Sequence, residues 1–283
     1  MLSNFTIRFR SLANGIRLLK EGHFRIFLEE LRKRLKSCSL SVGLRRDLEI
    51  PFEPPDARIP VSVRPLEDGD FRKLIGNGEI SKKWPRIVQQ REMMLRADLQ
   101  TCYITVTKEN EPCYMQWLSG HDQNHKIRAL FGDTFPTLNP DEALLEAAFM
   151  HPDYRGLRIM PAAMSRIAEK ATEMGARYTI TFVDIENVPS LKGCKRSGFA
   201  PYVLRRDHWF LFRRTITFEP IPDSIRAKYE EVTGGGGDER GRPSRRRRTH
   251  TENRDRSGHS GSGPRQTDLH PGAGELAIKI KER

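Results

Sequence analysis

The sequence predicts a mixed α/β domain in which a mostly antiparallel sheet is flanked by helices, with a basic appendage at each end. Residues 101–118 alternate apolar and polar side chains around a polar turn, which is typical of a β-hairpin. Residues 142–150 and 178–183 are apolar runs of strand length, and residues 160–174 between them repeat apolar side chains at helical spacing. Strand, helix and strand in this order, beside a hairpin, predict a mixed sheet.

The basic charge of the chain lies in its two ends. The 283 residues carry 49 basic and 37 acidic side chains, a net charge of +12. Residues 1–60 and 234–283 each contribute +5, whereas residues 61–233 contribute only +2. A basic protein can bind nucleic acid through its net charge. Because the central domain is nearly neutral, we expect no specific nucleic-acid partner.

The N-terminal appendage, residues 1–50, is predicted to be a basic amphipathic helical extension. Apolar side chains recur at three- and four-residue spacing among basic ones, at Phe24, Phe27, Leu28, Leu31 and Leu35. Such a helix can make peripheral contact with a membrane through residues 1–45, pack on protein, or belong to an organellar transit peptide. The proline-rich residues 51–60 are interpreted as a linker to a domain at 61–218.

Residues 219–283 are interpreted as an extension that ends in a disordered tail. The tail is rich in Gly, Ser and Arg and has too few apolar residues to offset the entropy lost on ordering. The sequence contains no run of about 18 apolar residues, which is the length needed to cross a bilayer. It also has no recognisable secretory signal. Four widely spaced cysteines without a CxxC pair indicate a reduced, cytoplasmic protein. His121 and His125 are interpreted as solvated loop residues, and no metal site is expected.

The segments AFMHPDYRGLRIM and ENVPSLKGCKRSGF resemble the GNAT acyltransferase superfamily. The resemblance covers about residues 61–218 and is strongest over 145–202. It implies a GNAT-like sheet, an acyl-CoA co-substrate such as acetyl-CoA, and no metal. It also implies that the loop after one strand meets the coenzyme A pyrophosphate at a helix N-terminus, where backbone N–H groups and the helix dipole favour anions.

The resemblance places Arg155 at the first position of the family's loop motif, and Arg158 and Met160 at its two glycines. Arg158 either obstructs a phosphate or replaces the close backbone contact with a charged side-chain contact. Pro161 removes one N–H donor in the first helical turn, where proline is well tolerated. The implied cofactor-binding residues are Phe149, Met150, Arg155, Gly156, Leu157, Arg158, Ile159, Met160 and Asn187.

Asn187 corresponds to an asparagine that lies near the pantetheine arm in similar proteins, and it is also a good helix N-cap. The resemblance further implies that the strand ending at Phe149 and Met150 splays from the strand at 178–183. The backbone groups freed in this way can pair with pantetheine as with an added strand.

Two residues are candidates for acid–base chemistry. Glu146 lies within an apolar strand, near the position where some similar proteins carry their base, and is interpreted either as that base or as half of a structural ion pair. Cys194 stands where many of these enzymes have a tyrosine acid. Its thiol either donates a proton or is only a small residue on a helix face.

The sequence thus predicts an acyl-CoA-dependent N-acyltransferase that moves an acyl group, most simply acetyl, to a primary amine by direct attack. One alternative is a membrane-associated transferase that uses a longer acyl-CoA or acyl carrier protein. Another is a non-catalytic binding or scaffold protein, which the altered loop would suit. The acceptor and the oligomeric state have no recognisable signal in the sequence.

Overall fold

A computed structural model describes residues 31–75 and 78–234. Residues 31–35 are helical, and most of the predicted amphipathic helix lies outside the described residues. The Gly/Ser/Arg-rich tail beyond residue 234 also lies outside them.

The predicted mixed sheet is confirmed, and it has eight strands in the order β2-β3-β4-β5-β6-β1-β7-β8. Of the neighbouring pairs in this sheet, only β5 and β6 run parallel, and the others are antiparallel. The strands are β1 (Lys36–Asp47), β2 (Val61–Pro65), β3 (Cys102–Thr107), β4 (Pro112–Gly120), β5 (Glu142–Met150), β6 (Tyr178–Asp184), β7 (Ala200–Phe210) and β8 (Arg213–Glu219).

Helices cover both faces of the sheet and form two separate apolar cores. The helices are α1 (Asp70–Leu74), α2 (Gly78–Lys83), α3 (Pro85–Arg96), α4 (Asn124–Phe131), α5 (Ile159–Glu169), α6 (Val188–Arg196) and α7 (Asp223–Gly234). One core contains side chains of α5, α6 and α7, and the other contains side chains of α1 to α4.

The interpretation of residues 1–50 as a helical extension is wrong for residues 36–47, because these form the interior strand β1. This strand pairs with β6 on one side and β7 on the other. Leu40, Val42 and Leu44 repeat with period two and pack together in the core beside α5, which is the pattern of a strand with one buried face. The helical spacing ends at Leu35, and the period changes immediately after it.

Residues 51–60 are irregular, as a linker would be, but they pack on the domain. Phe52 lies against Gly198, where a Cβ atom would come within 2.9 Å of the Phe52 ring. The Arg46 guanidinium stacks 4.6 Å from the centre of the same ring, and it also donates to the Ser165 carbonyl and hydroxyl oxygens at 3.0 Å. The Arg58 N–H donates to the Leu157 carbonyl at 2.8 Å, so this segment supports the loop that precedes α5.

Two further regions are more ordered than the sequence indicates. Helix α7 lies within residues 219–283 and packs on α6, with Tyr229 buried and a 2.6 Å ion pair between Lys195 and Glu230. Residues 119–140 contain a 3₁₀ turn and α4, so His121 and His125 are helical and exposed rather than in a loop.

The position of β1 can be tested at Gly43. A Cβ atom there would overlap the side chains of Val203 and Phe182 on the flanking strands. We expect Gly43→Ala to lower the free energy of unfolding by about 1–3 kcal/mol, as overpacking does, measured by urea denaturation. Gly78→Ala is the matched control, because a Cβ there meets nothing within 4 Å. An unchanged or raised stability of Gly43→Ala would contradict the interior position of β1.

Candidate active site

The two central parallel strands part soon after they begin. Strands β5 and β6 pair at only three positions, from Glu142 opposite Tyr178 to Leu144 opposite Ile180. The rest of β5, through Phe149 and Met150, therefore has no partner on the β6 side. This geometry matches the predicted splay, and it leaves backbone groups of β5 facing a gap at the carboxyl ends of both strands, where open α/β sheets bind ligands.

A β-bulge in β5 lies within the part that leaves β6. Met115 of β4 opposes Phe149 and Trp117 opposes Glu146, so two residues of β5 face the single Gln116. Ala147 at the bulge has φ of 57°, in the left-handed region. Such a conformation costs about 1–2 kcal/mol for a residue other than glycine, and a bulge bends its strand. The bulge thus contributes to the separation of β5 from β6.

Arg91 of α3 holds this bulge in place. One terminal nitrogen, Nη2, donates to the Ala147 carbonyl at 3.0 Å and to the Ala148 carbonyl at 2.9 Å. The side chain is fully buried, and desolvation lowers the pKa of Arg91 to about 10. A buried guanidinium that donates to two carbonyls of the bulge fixes the position of β5, unlike a charge on the surface.

Sequence reasoning missed Arg91, although the chain contains a signal. The apolar stripe of α3 includes Ile87, Val88, Met94 and Leu95, and Arg91 occupies the position of the same stripe four residues after Ile87. A cation at a core position of an amphipathic helix must find buried acceptors. Nothing in the sequence indicates that these acceptors are carbonyls of β5.

The loop before α5 presents unpaired backbone donors. Among the described residues, no acceptor receives a hydrogen bond from the N–H groups of Gly156, Leu157 and Arg158. Gly156 has φ of 80° and Arg158 has φ of 57°. Glycine adopts both conformations at the lowest cost. Arg158, which stands at a glycine position of the motif, is the N-cap of α5 and has a left-handed backbone conformation. The donors lie at a helix N-terminus, where anions are favoured.

Met160, at the second motif glycine, packs into space left by Gly193 of α6. A Cβ atom on Gly193 would come within 2.8 Å of the Met160 sulfur. The Ser197 hydroxyl joins the same helices by donating to the Pro161 carbonyl at 3.2 Å. The Ile159 and Met160 side chains are buried, so these two residues offer a ligand only their backbone groups.

Arg155 connects this loop to the opposite core through aromatic rings. Its guanidinium lies 5.4 Å from the centre of the Trp84 ring, and Trp84 meets Phe149 of β5 edge-on at 6.4 Å. The Arg155 Nε atom is buried and has no hydrogen-bond partner among the described residues. The side chain is therefore fixed by stacking and keeps donors for an anion.

Asn187 and Ser190 lie at the start of α6, just beyond the end of β6. The Asn187 side-chain oxygen accepts from the Ser190 N–H at 3.4 Å, which is the N-cap geometry that the sequence predicts. The Ser190 hydroxyl is buried and has no partner among the described residues. Sequence reasoning did not single it out as a binding residue.

Glu146 is a buried carboxylate on the face covered by α1 to α4. It forms no ion pair with any described residue. Desolvation raises its pKa, while the Ala147 backbone, the half-buried guanidinium of Arg205 and the buried guanidinium of Arg91 lower it in part. The sequence left Glu146 as either a base or half of a structural ion pair, and the described residues provide no partner for the ion pair.

Cys194 lies on the opposite face of the sheet from Glu146. Its sulfur contacts the Met164 sulfur at 3.8 Å within the core of α5 and α6. Burial raises the pKa of the Cys194 thiol to about 12. This environment does not favour proton donation, because the thiol holds its proton more tightly than an ordinary thiol does.

Residues 74–199 match the model of the Acetyltransferase (GNAT) family. The chain contains a GNAT acetyltransferase domain. The match spans α2 to α6 and includes the bulge, the splay and the loop before α5. No curated protein sequence matches the chain at a significant level.

Solved structures similar to the GNAT domain share little sequence with it. A glucosamine N-acetyltransferase region of a fungal multi-domain β-N-acetylglucosaminidase is 14% identical, with a TM-score of 0.45, and covers 64% of this chain and 22% of its own. A GNAT acetyltransferase from Colwellia psychrerythraea is 13% identical (TM-score 0.39; 70% and 62% covered). One from Sphaerobacter thermophilus is 11% identical (TM-score 0.39; 72% and 70% covered). The chain thus spans less than two thirds of the length of the first two.

Two features are absent from the part of the chain that the structure describes. No group of three or more His, Cys, Asp or Glu side chains there converges as a metal site requires. No helix among the same residues has the length and apolar character needed to span a bilayer.

The environment of Glu146 predicts a pH-dependent stability. A carboxyl whose pKa is raised by folding stabilises the protein below its unfolded pKa, and this contribution is lost as the pH rises through the folded value. We expect Glu146→Gln to be more stable than the wild type at pH 7, with the difference shrinking toward pH 4. Thermal unfolding between pH 4 and 8 measures this difference. A variant that is less stable at pH 7 would indicate a stabilising ion pair instead.

The left-handed N-cap of α5 predicts a stabilising substitution. The left-handed conformation of residue 158 costs about 1–2 kcal/mol for a residue other than glycine, and Arg158→Gly removes this cost. Part of the gain is offset because glycine loses more backbone entropy on folding. We expect the free energy of unfolding to rise by about 1 kcal/mol, measured by urea denaturation. Arg158→Ala is the matched control, since it removes the charge but keeps the strain. A gain in both variants would attribute the effect to charge.

Proposed function

We propose that the protein is an acyl-CoA-dependent N-acyltransferase that moves an acyl group, most simply acetyl, to a primary amine by direct attack. The observation that carries this proposal is the gap between β5 and β6, which lies beside the unpaired N–H groups of Gly156, Leu157 and Arg158. A strand edge and an anion site at one end of a sheet suit a ligand with both amides and phosphates.

Residues around the gap offer groups for the pantetheine arm and the pyrophosphate of coenzyme A. The free side of β5 at Phe149 and Met150 would pair with the pantetheine amides. The N–H groups of residues 156–160, together with the Arg155 side chain, would hold the pyrophosphate, and Pro161, which follows them, has no N–H to add. Asn187 and the unpartnered Ser190 hydroxyl at the start of α6 would contact the pantetheine arm from the β6 side.

Acyl-CoA supplies the acyl group as a thioester, and this chain must provide the rest of the chemistry. An amine attacks only when it is unprotonated, so a base is required. Glu146 suits this role, because desolvation raises its pKa and its carboxylate forms no ion pair with a described residue. Arg91 would act as a positioning residue, since it fixes the strand that carries Glu146.

An acid role for Cys194 has weaker support. The thiol lies on the other face of the sheet, and its pKa of about 12 exceeds that of an ordinary thiol, so transfer of its proton to a departing thiolate is uphill. Orientation of the amine and the thioester can supply much of the rate without a dedicated acid.

Calorimetric titration with acetyl-CoA tests the binding half of the proposal. We expect saturable binding by the wild type and at least tenfold weaker binding by Arg155→Glu, because the new carboxylate repels the pyrophosphate. Arg96→Glu, at an exposed site at the end of α3, has the same charge change and should bind as the wild type does. Absence of wild-type binding to acetyl-CoA and CoA would overturn the proposal.

Steady-state kinetics with a panel of primary amines tests the catalytic half. We expect Glu146→Gln to lower kcat about 100-fold, which is typical for loss of a general base, and to leave acetyl-CoA binding intact. Cys194→Ala should retain most of the activity. Binding without turnover of any amine would leave a non-catalytic acyl-CoA-binding domain, and a large loss in Cys194→Ala would restore the acid role.

A further inference from the structure

The turn between β7 and β8 exposes a cluster of large apolar side chains. Phe210, Leu211 and Phe212 are 52%, 60% and 47% exposed, and Leu35 beside them is also exposed. The Leu211 N–H donates to the Leu35 carbonyl at 3.0 Å, which fixes this neighbour in place. These four are among seven exposed large apolar side chains in the described residues, so exposure of this kind is concentrated at one point. We call Phe210, Leu211 and Phe212 the hairpin tip.

The tip is built from residues that suit its turn poorly. Leu211 and Phe212 both have positive φ, 45° and 63°, which is the backbone of a two-residue type I′ turn. Such turns strongly favour Asn-Gly or Asp-Gly, and a branched or aromatic residue there is strained. Because both side chains are exposed, burial within the domain does not offset this cost. Strain that packing does not explain points to a function at the turn.

Basic side chains flank the tip in the part of the chain that the structure describes. Residues 31–36 and 208–214 contain no Asp or Glu. Arg32, Lys36 and Arg213 are exposed next to the tip. The acidic residue that precedes residues 208–214, Asp207, is buried and paired with Arg214 at 2.6 Å. An apolar projection flanked by cations is complementary to an anionic lipid surface.

Aromatic side chains at and directly before the tip are Trp209, Phe210 and Phe212. Trp209 precedes the tip and lies between two guanidiniums, 5.7 Å from Arg34 and 6.0 Å from Arg214. Tryptophan and phenylalanine beside basic residues are typical of the boundary between headgroups and acyl chains. A stable protein interface buries about 800 Å² on each partner, which is far more than three side chains on a narrow turn present.

We propose that the hairpin tip docks the protein on an anionic membrane surface, with Phe210, Leu211 and Phe212 entering the interface and the neighbouring cations meeting the headgroups. The proposal assigns membrane contact to a turn of the folded domain, independently of residues 1–30.

The tip lies at the end of the sheet where β5 and β6 part. Ser41 of β1 pairs with Asp184, the last residue of β6, and Lys36 pairs with Phe210. The hairpin therefore extends five residues, about 17 Å, past the end of β6. If the proposed function is correct, docking at the tip also turns the open end of the site toward the bilayer.

Vesicle co-sedimentation of the full chain tests this proposal without reference to activity. We expect the wild type to pellet with vesicles of phosphatidylcholine and phosphatidylglycerol, and to pellet poorly with phosphatidylcholine alone. Leu211→Asn/Phe212→Gly installs a favoured type I′ turn, so it should keep or raise the melting temperature while weakening partitioning at least tenfold. Ile50→Asn is the matched control at the opposite end of β1, where an equally exposed apolar residue should not matter.

Three outcomes would overturn the proposal. The first is that the double variant pellets as the wild type does. The second is that the wild type binds neutral and anionic vesicles equally, and the third is that it binds neither. If scattering measurements show a wild-type dimer that the double variant abolishes, in the absence of vesicle binding, the tip joins two copies of the chain instead.

Discussion

The parting of β5 and β6 after three residue pairs is the constraint on which the rest of the candidate site depends. Parallel strands that stayed paired would consume the backbone groups of β5 and close the gap. The bulge at Ala147 bends β5 away, and Arg91 holds that bulge by its two carbonyls. A buried cation thus stabilises a strained strand, and the loop before α5 then lies beside an open edge.

The fold accommodates both altered positions of the loop before α5. Arg158 tolerates the left-handed conformation that glycine would adopt at lower cost. Met160 fills the space above Gly193, where any side chain would overlap it. Backbone donors, which any residue except proline supplies, remain unpaired at residues 156–158. The loop therefore keeps the chemistry of an anion site with different side chains.

The sheet, the helix after β5 and the loop position could be predicted from the sequence, because each depends on local periodicity or on a contiguous motif. Strand β1 was missed, since the helical spacing that ends at Leu35 hid the shift to period two at Leu40, Val42 and Leu44. Arg91 was missed as well, because its acceptors are 56 and 57 residues away. The opposite placement of Glu146 and Cys194 also depends on tertiary structure, which spacing along the chain cannot indicate.

Hydrogen–deuterium exchange with and without coenzyme A tests the central claim, that the gap and its loop form one binding site. We expect slower exchange on CoA addition in peptides that cover residues 148–160 and 187–191, with little change in β2 or β8. Protection confined to other regions, or no protection at saturating CoA, would contradict it.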